Sequence, residues 1–221
     1  MRAIVINDFG APPTVSDLPQ PKPEAGELLV RVRASSLNGF DAATAAGMLK
    51  GMMEHRFPVV LGKDFAGTVE AVGDQVTRFA VGDEVFGVVM KPFLGDGGLG
   101  EYVTVAEGYG VTHLPGGLSH TTAGALGLAG TAALNAVDAI APANGHTVLV
   151  SGASGGVGAL AIQLATARGA QVIATAKPGP EADLVADLGT AYIVDYTSDL
   201  AGQARVIAPD GRCHLAWTPP S

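Results

Sequence analysis

The chain has 221 residues, 48% of them hydrophobic, enough to bury a substantial core in one large domain or two small ones. Its formal net charge of −8 leaves no basic stripe to neutralise phosphates, which argues against a nucleic-acid partner. The single cysteine, Cys213, excludes an internal disulfide and a four-cysteine zinc lobe, and the 31 glycines, lacking a three-residue period, read as punctuation between many short elements.

From Met1 to about Pro115 the pattern is strand and turn. RAIVI, ELLVRVRA with apolar residues alternating around Arg31 and Arg33, GTVEAVG, DEVFGVV and EYVTV all read as strands. The prolines and glycine of PPTVSDLPQPKPEAGE demand a loop, and the glycines of FLGDGGLG demand another. DAATAAGMLKG is the one helix-period stretch longer than about two turns in this region. A compact β-rich domain over residues 1–118 is expected.

From Ser119 the chain alternates helix and strand. SHTTAGALGLAGTAALNAV begins with a serine cap, though its three glycines weaken the helix. The apolar stretch 121–143 is interrupted by Gly124, Gly127, Gly130, Asn135, Asp138 and Pro142, and no N-terminal signal pattern precedes it, so a soluble cytoplasmic protein with no membrane partner is expected. TVLVS is a strand, Val157 to Arg168 a helix stopped by Gly169, and AQVIATA a strand buried by its apolar run. PEADLVADLG is a helix with Pro180 at its start and Gly189 past its end, and TAYIVDY is a third strand. That rhythm predicts a parallel sheet over residues 119–221, making the whole chain a β domain followed by an α/β domain.

Residues 151–158, SGASGGVG, join the first of these strands to its helix. Gly152, Gly155 and Gly158 form G-x-x-G-x-x-G, one residue longer in its first gap than the usual dinucleotide fingerprint. Such a loop lets backbone approach a pyrophosphate while the helix N-terminus supplies free amide donors, so Gly152, Ser154, Gly155, Gly156, Val157 and Gly158 are candidate cofactor contacts. An ordinary tight strand-to-helix turn is the alternative. An acidic residue at the end of the next strand would bind a ribose 2′-hydroxyl and repel a 2′-phosphate. The sequence has Thr175, Ala176 and Lys177 there, which favours NADPH over NADH unless Lys177 is simply a solvated loop residue.

In order, RAIVINDFG, PKPEAGELLVRVRASSLNGFD, VLGKDFAGTVEAVG, VGDEVFG and SGASGGVGALAIQLA resemble the medium-chain dehydrogenase/reductase superfamily, in its zinc-independent quinone oxidoreductase (zeta-crystallin-like) branch, from Met1 to about Asp210. The resemblance implies a GroES-like β-barrel substrate domain, then a Rossmann domain of the doubly wound parallel type, with the active site in the cleft between them. Metal-dependent members carry a zinc-binding G-H-E segment and a zinc-binding cysteine. Gly62, Lys63 and Asp64 stand at the first position and Asn38 at the second, so no catalytic metal is expected. His55, His113, His120, His146 and His214 show no ligand spacing and read as surface or turn residues.

Without a Lewis acid, the implied reaction is hydride transfer from NADPH to a quinone or α,β-unsaturated carbonyl, the protein supplying orientation and exclusion of water. By resemblance, Asn38 positions the reactants, Asp41 orients from behind, Thr131 approaches the nicotinamide, and Tyr196 lies near the 2′-phosphate. Asn38 and Asp41 equally suit a turn and helix cap, Thr131 an ordinary helical position, and Tyr196 the closing of a strand end. A noncatalytic remnant that at most binds nucleotide, and an enoyl-thioester reductase of the same superfamily, share these motifs.

The resemblance also implies further Rossmann strands beyond Ser221, including the edge through which relatives commonly form homodimers, so self-association is expected to differ. RCHLAWTPPS carries two prolines where a buried strand would stand. One reading of the codons of Gly211 to His214 in a shifted frame gives Val-Asp-Ala-Ile, close to the expected strand. A C-terminally truncated chain with an out-of-frame tail is therefore expected.

Overall fold

The computed structural model describes residues 1–209. Two compact units divide the chain, Met1–Leu128 and the segment from Ala129 onward.

The first unit contains β1 (Arg2–Ile6), β2 (Thr14–Asp17), β3 (Glu27–Ala34), α1 (Gly39–Ala45), β4 (Glu54–His55), β5 (Val59–Val60), β6 (Asp64–Val72), β7 (Glu84–Val88), β8 (Phe93–Leu94), β9 (Tyr102–Ala106), β10 (Val111–His113) and α2 (His120–Ala123). Five strands form an antiparallel sheet in the order β10-β7-β6-β3-β9. Alternate residues of its strands face one core: Leu28 and Val30 from β3, Phe65 and Val69 from β6, Val85 from β7, and Val103 and Val105 from β9. This period-two alternation is what made these strands readable in the sequence.

A separate three-stranded sheet runs β2-β1-β5. Here the expected loop over PPTVSDLPQPKPEAGE is corrected, because Thr14–Asp17 pairs antiparallel with β1 from Arg2↔Asp17 to Val5↔Thr14. The prolines fall outside the paired segment, as they must where backbone donors are needed, and its side chains are mostly exposed, so no apolar alternation announces it. Likewise FLGDGGLG contains β8, a two-residue strand parallel to β4.

The expected boundary at 118/119 falls short of the unit edge at Leu128. Helix α2 explains the difference: it packs on β3, β6 and β7, which draws the segment after Ser119 into the first unit. Ser119 caps α2 as expected, its Oγ accepting from the Thr122 N–H at 3.1 Å. The stretch expected as one helix is two, α2 and α3 (Gly127–Ile140), interrupted around Gly124.

The second unit continues through β11 (Thr147–Val150), α4 (Gly156–Ala167), β12 (Gln171–Thr175), α5 (Pro180–Asp187), β13 (Tyr192–Val194) and α6 (Leu200–Ile207). Its sheet is parallel, ordered β11-β12-β13, with Val148 opposite Val172 and Ala174 opposite Ile193. Val148, Val150, Ile162, Val172, Ala174 and Val185 are buried in its own core. Consecutive parallel strands joined by helices bring the C-terminal ends of all three strands to one edge, where α/β sheets bind ligands. No helix among the described residues is long and apolar enough to cross a membrane. The tail expectations at Gly211, Cys213 and His214 lie outside the described residues.

Candidate cofactor and active-site residues

At the end of β11 the chain must reverse into α4 within a few residues. Gly152 does this with φ +67°, a left-handed conformation unfavourable for side-chain-bearing residues. The Gly155 N–H closes the turn on the Gly152 carbonyl at 3.0 Å, and Gly155 stands at the N-cap of α4 in extended conformation. The first intrahelical bond is donated by Ala159 to the Gly155 carbonyl, so the amides of Gly156, Val157 and Gly158 have no acceptor within the helix.

The glycines differ in what they permit. An added Cβ at Gly158 would collide with the Gly152 carbonyl oxygen and with Ala153, so this glycine lets the helix start seat on the loop. Gly155 and Gly156 are both exposed; an added Cβ would stand tight against the Gly152 carbonyl oxygen at Gly155, 3.3 Å away, and in ordinary contact with Ala129 at Gly156, 3.6 Å away. Ser154 is half-buried in the turn, and the side chain of Val157 packs against the core. Three amides at a helix N-terminus without a protein acceptor among the described residues fit the pyrophosphate of a dinucleotide.

The far end of this site departs from expectation at two residues. Thr175 is 2% exposed, and its Oγ1 accepts from the Gly152 N–H at 3.1 Å. The hydroxyl braces the glycine loop against the strand end, a structural tie that its expected role as a phosphate contact did not include. Lys177 is exposed, its ammonium 5.4 Å from the centroid of the Tyr196 ring, and the Tyr196 hydroxyl, followed by the Glu181 carboxylate, holds the lysine above its ordinary range. Sequence reading brought Lys177 and Tyr196 to this edge but missed Glu181. Its Oε2 accepts from the Lys177 backbone N–H at 3.1 Å and from the Tyr196 hydroxyl at 3.1 Å. The acid absent from the strand end is thus delivered from the first turn of α5. An acidic residue just after a helix-initiating proline was the available signal.

In the first unit, SSLNGFD follows β3 and enters α1. The backbone N–H of Asn38, the N-cap residue, donates to Asp41 Oδ2 at 2.8 Å, and the other oxygen of Asp41 accepts from the Gly62 N–H at 2.9 Å. Asp41 is 4% exposed, and burial pushes its carboxyl above the usual range against the opposing effect of these two amides. Asp64, fully buried at the start of β6, completes the cluster. Its Oδ2 accepts from Asn38 Nδ2 at 2.9 Å and from the Ser36 hydroxyl, its Oδ1 from the Leu128 N–H at 2.6 Å, and its carbonyl from Ser35 Oγ at 2.7 Å. A carboxylate only accepts, so it fixes which way the Asn38 amide points: the nitrogen serves Asp64 and the carbonyl oxygen is the other end.

Lys63 is half-buried beside this pair, its ammonium 5.4 Å from the Phe40 ring centroid, and burial pulls it below the ordinary lysine range while Asp41 and Asp64 oppose the shift. This donor set does not fit zinc. The Asp64 oxygens are taken by three hydrogen-bond donors, Asn38 directs its nitrogen at one of them, and a lysine stands alongside. Among the described residues no group of three His, Cys, Asp or Glu side chains is arranged to hold a metal ion. His113 and His120 pair with Asp83 and Glu84, and His146 Nδ1 accepts from the Ala143 N–H at 3.2 Å. Asn38 and Asp41 are therefore brought together, with Asp64 and Ser36 added to them. Thr131 lies exposed on α3 and makes no side-chain hydrogen bond among the described residues.

The alcohol dehydrogenase GroES-like domain matches residues 24–116 of the chain. A quinone oxidoreductase of Lama guanicoe is 35% identical over 205 residues, covering 90% of this chain and 60% of the relative. Among solved structures, an NAD-dependent alcohol dehydrogenase is similar with a TM-score of 0.85 and 32% identity, covering 95% of this chain and 68% of that one. A mycobacterial protein in complex with NADPH has a TM-score of 0.82 and 31% identity, over 95% of this chain and 64% of that one. The chain spans about 60% of the length of the curated quinone oxidoreductases it matches.

Proposed function

Because this chain belongs to the medium-chain dehydrogenase/reductase superfamily, with a GroES-like first unit and a Rossmann-like second one, we propose that it is a zinc-independent, NADPH-dependent oxidoreductase acting on a quinone or α,β-unsaturated carbonyl. The observation that carries the reading is the Asp64 cluster. At the position where, by resemblance, metal-dependent members hold zinc, this chain has a buried carboxylate engaged by three donors, Ser36, Asn38 and the Leu128 amide. Alcohol oxidation would lack a Lewis acid at such a centre, whereas a conjugated acceptor needs only a hydride and a proton.

A bound nicotinamide cofactor supplies the hydride. The chain's own residues bind and orient. Amides of Gly156, Val157 and Gly158 receive the pyrophosphate, with Gly152, Ser154 and Gly155 shaping the turn before them. Lys177, beside the Tyr196 ring, offers a cation to a 2′-phosphate, and with no acid at the end of β12 this is the ground for favouring NADPH; the NADPH complex of the mycobacterial relative is consistent with it. Asn38 presents an acceptor oxygen, so it orients a partner that donates a hydrogen bond rather than stabilising an oxyanion. Asp41 and Asp64 hold it there. By resemblance, Thr131 on α3 is a further candidate to approach the nicotinamide.

The test is NADPH oxidation by the purified chain with a small quinone, followed by absorbance. Turnover that is insensitive to chelators supports the proposal. Binding of 2′,5′-ADP without turnover on any quinone or enone would overturn the catalytic reading and leave a nucleotide-binding remnant.

A further inference from the structure

The 2′ end of the cofactor site holds a charge that the NADPH reading does not use. Glu181 accepts from the Lys177 N–H and the Tyr196 hydroxyl, both at 3.1 Å, and contributes to holding the Lys177 ammonium charged. Its carboxylate therefore stands among the very groups that would receive a 2′-phosphate. Asp195, just past the end of β13, adds a second negative charge whose field also reaches the ammonium. One exposed lysine lies in the field of two carboxylates, which leaves little net positive charge for a phosphate dianion.

We infer that Glu181 is a specificity-determining residue that limits the preference for NADPH: its carboxylate opposes a 2′-phosphate and accepts a hydrogen bond from a 2′-hydroxyl, so that the site takes both phosphorylated and unphosphorylated cofactor. The physical basis is that a ribose 2′-hydroxyl is a donor, which a carboxylate satisfies, whereas a 2′-phosphate is an acceptor of like charge. Specificity here is a difference between two affinities, and Glu181 acts on the two with opposite sign. The inference rests on the nucleotide-binding part of the proposed function.

Titration calorimetry of the full chain with 2′,5′-ADP and with 5′-AMP tests it. Glu181→Gln keeps an acceptor for the Lys177 N–H and the Tyr196 hydroxyl while removing the charge, and Glu181→Lys reverses it. The affinity ratio of 2′,5′-ADP to 5′-AMP is expected to rise about fivefold in Glu181→Gln and further in Glu181→Lys, as the Coulomb energy of an exposed pair allows. Lys177→Ala should lower the same ratio. Binding of both ligands with a ratio unchanged in both Glu181 variants, or an equal loss of both affinities, would overturn the inference and leave the cofactor reading standing. Binding of neither ligand by the unaltered chain would overturn both.

Discussion

Gly158 and Lys63 show how a single residue is constrained by what lies next to it. At Gly158 even a methyl group has nowhere to go, because the Gly152 carbonyl and Ala153 fill the space where a Cβ would stand. Gly158→Ala is therefore expected to push the start of α4 off the loop, costing about 1–3 kcal/mol of stability and at least tenfold in 2′,5′-ADP affinity, as read by urea unfolding and calorimetry. The cost at Lys63 is electrostatic. Its folded-state affinity for a proton is lowered by burial, so between that value and the free-lysine value near pH 10.4 the unfolded chain binds more protons, and stability rises with pH. Replacing it with an uncharged side chain of similar length removes the penalty. Lys63→Met should stabilise the chain by about 1 kcal/mol at neutral pH, with the gain over the unaltered chain shrinking as pH climbs toward 10.4, measured by urea unfolding at several pH values. Lys63 and Asp64 were legible as a departure from a metal-binding segment. That Asp64 holds Asn38 was not, because the contact joins positions separated by 26 residues.

At the scale of elements, the strand–loop–helix unit from β11 to α4 was read almost to its boundaries, since a buried apolar strand, spaced glycines and a small-residue helix are each locally encoded. β2 was not, because an exposed edge strand takes its conformation from pairing with β1 and carries no apolar alternation of its own. Thr175 belongs to the same lesson. Its position at the end of β12 was evident, but whether its hydroxyl turned toward solvent or toward the neighbouring loop depended on parallel pairing with β11, which brings it to the Gly152 amide. Thr175→Val keeps the shape and removes the acceptor. It should cost about 1–2 kcal/mol and loosen the turn, visible as faster hydrogen exchange of the Gly152 amide and weaker 2′,5′-ADP binding.

Across the whole molecule, each unit has its own core, one around Leu28, Val30 and Phe65, the other around Val148, Ile162 and Val172. All candidate contacts to the adenosine and pyrophosphate end lie in the second, from Gly152 to Tyr196. Saturating 2′,5′-ADP at about a hundred times its dissociation constant should add about 2.7 kcal/mol to the unit that binds it. Mass-resolved hydrogen exchange is expected to show slowing over residues 152–196, with the β3 and β6 core amides unchanged, and Gly158→Ala should abolish the difference.

Composition, apolar period and glycine spacing by themselves determined the two-unit order of a β domain and an α/β domain and the glycine turn, and the resemblance marked Asn38 and Lys63 as departures from a metal-binding pattern. These properties are written locally, within one strand or one loop. Only the tertiary structure decided that α2 joins the first unit, that Thr175 braces the loop, that Asp64 orients Asn38, and that Glu181 reaches the 2′ edge. Each of those depends on a hydrogen bond or packing contact between segments far apart in the chain. A donor or acceptor finds its partner through the fold, and residue type alone does not say which one.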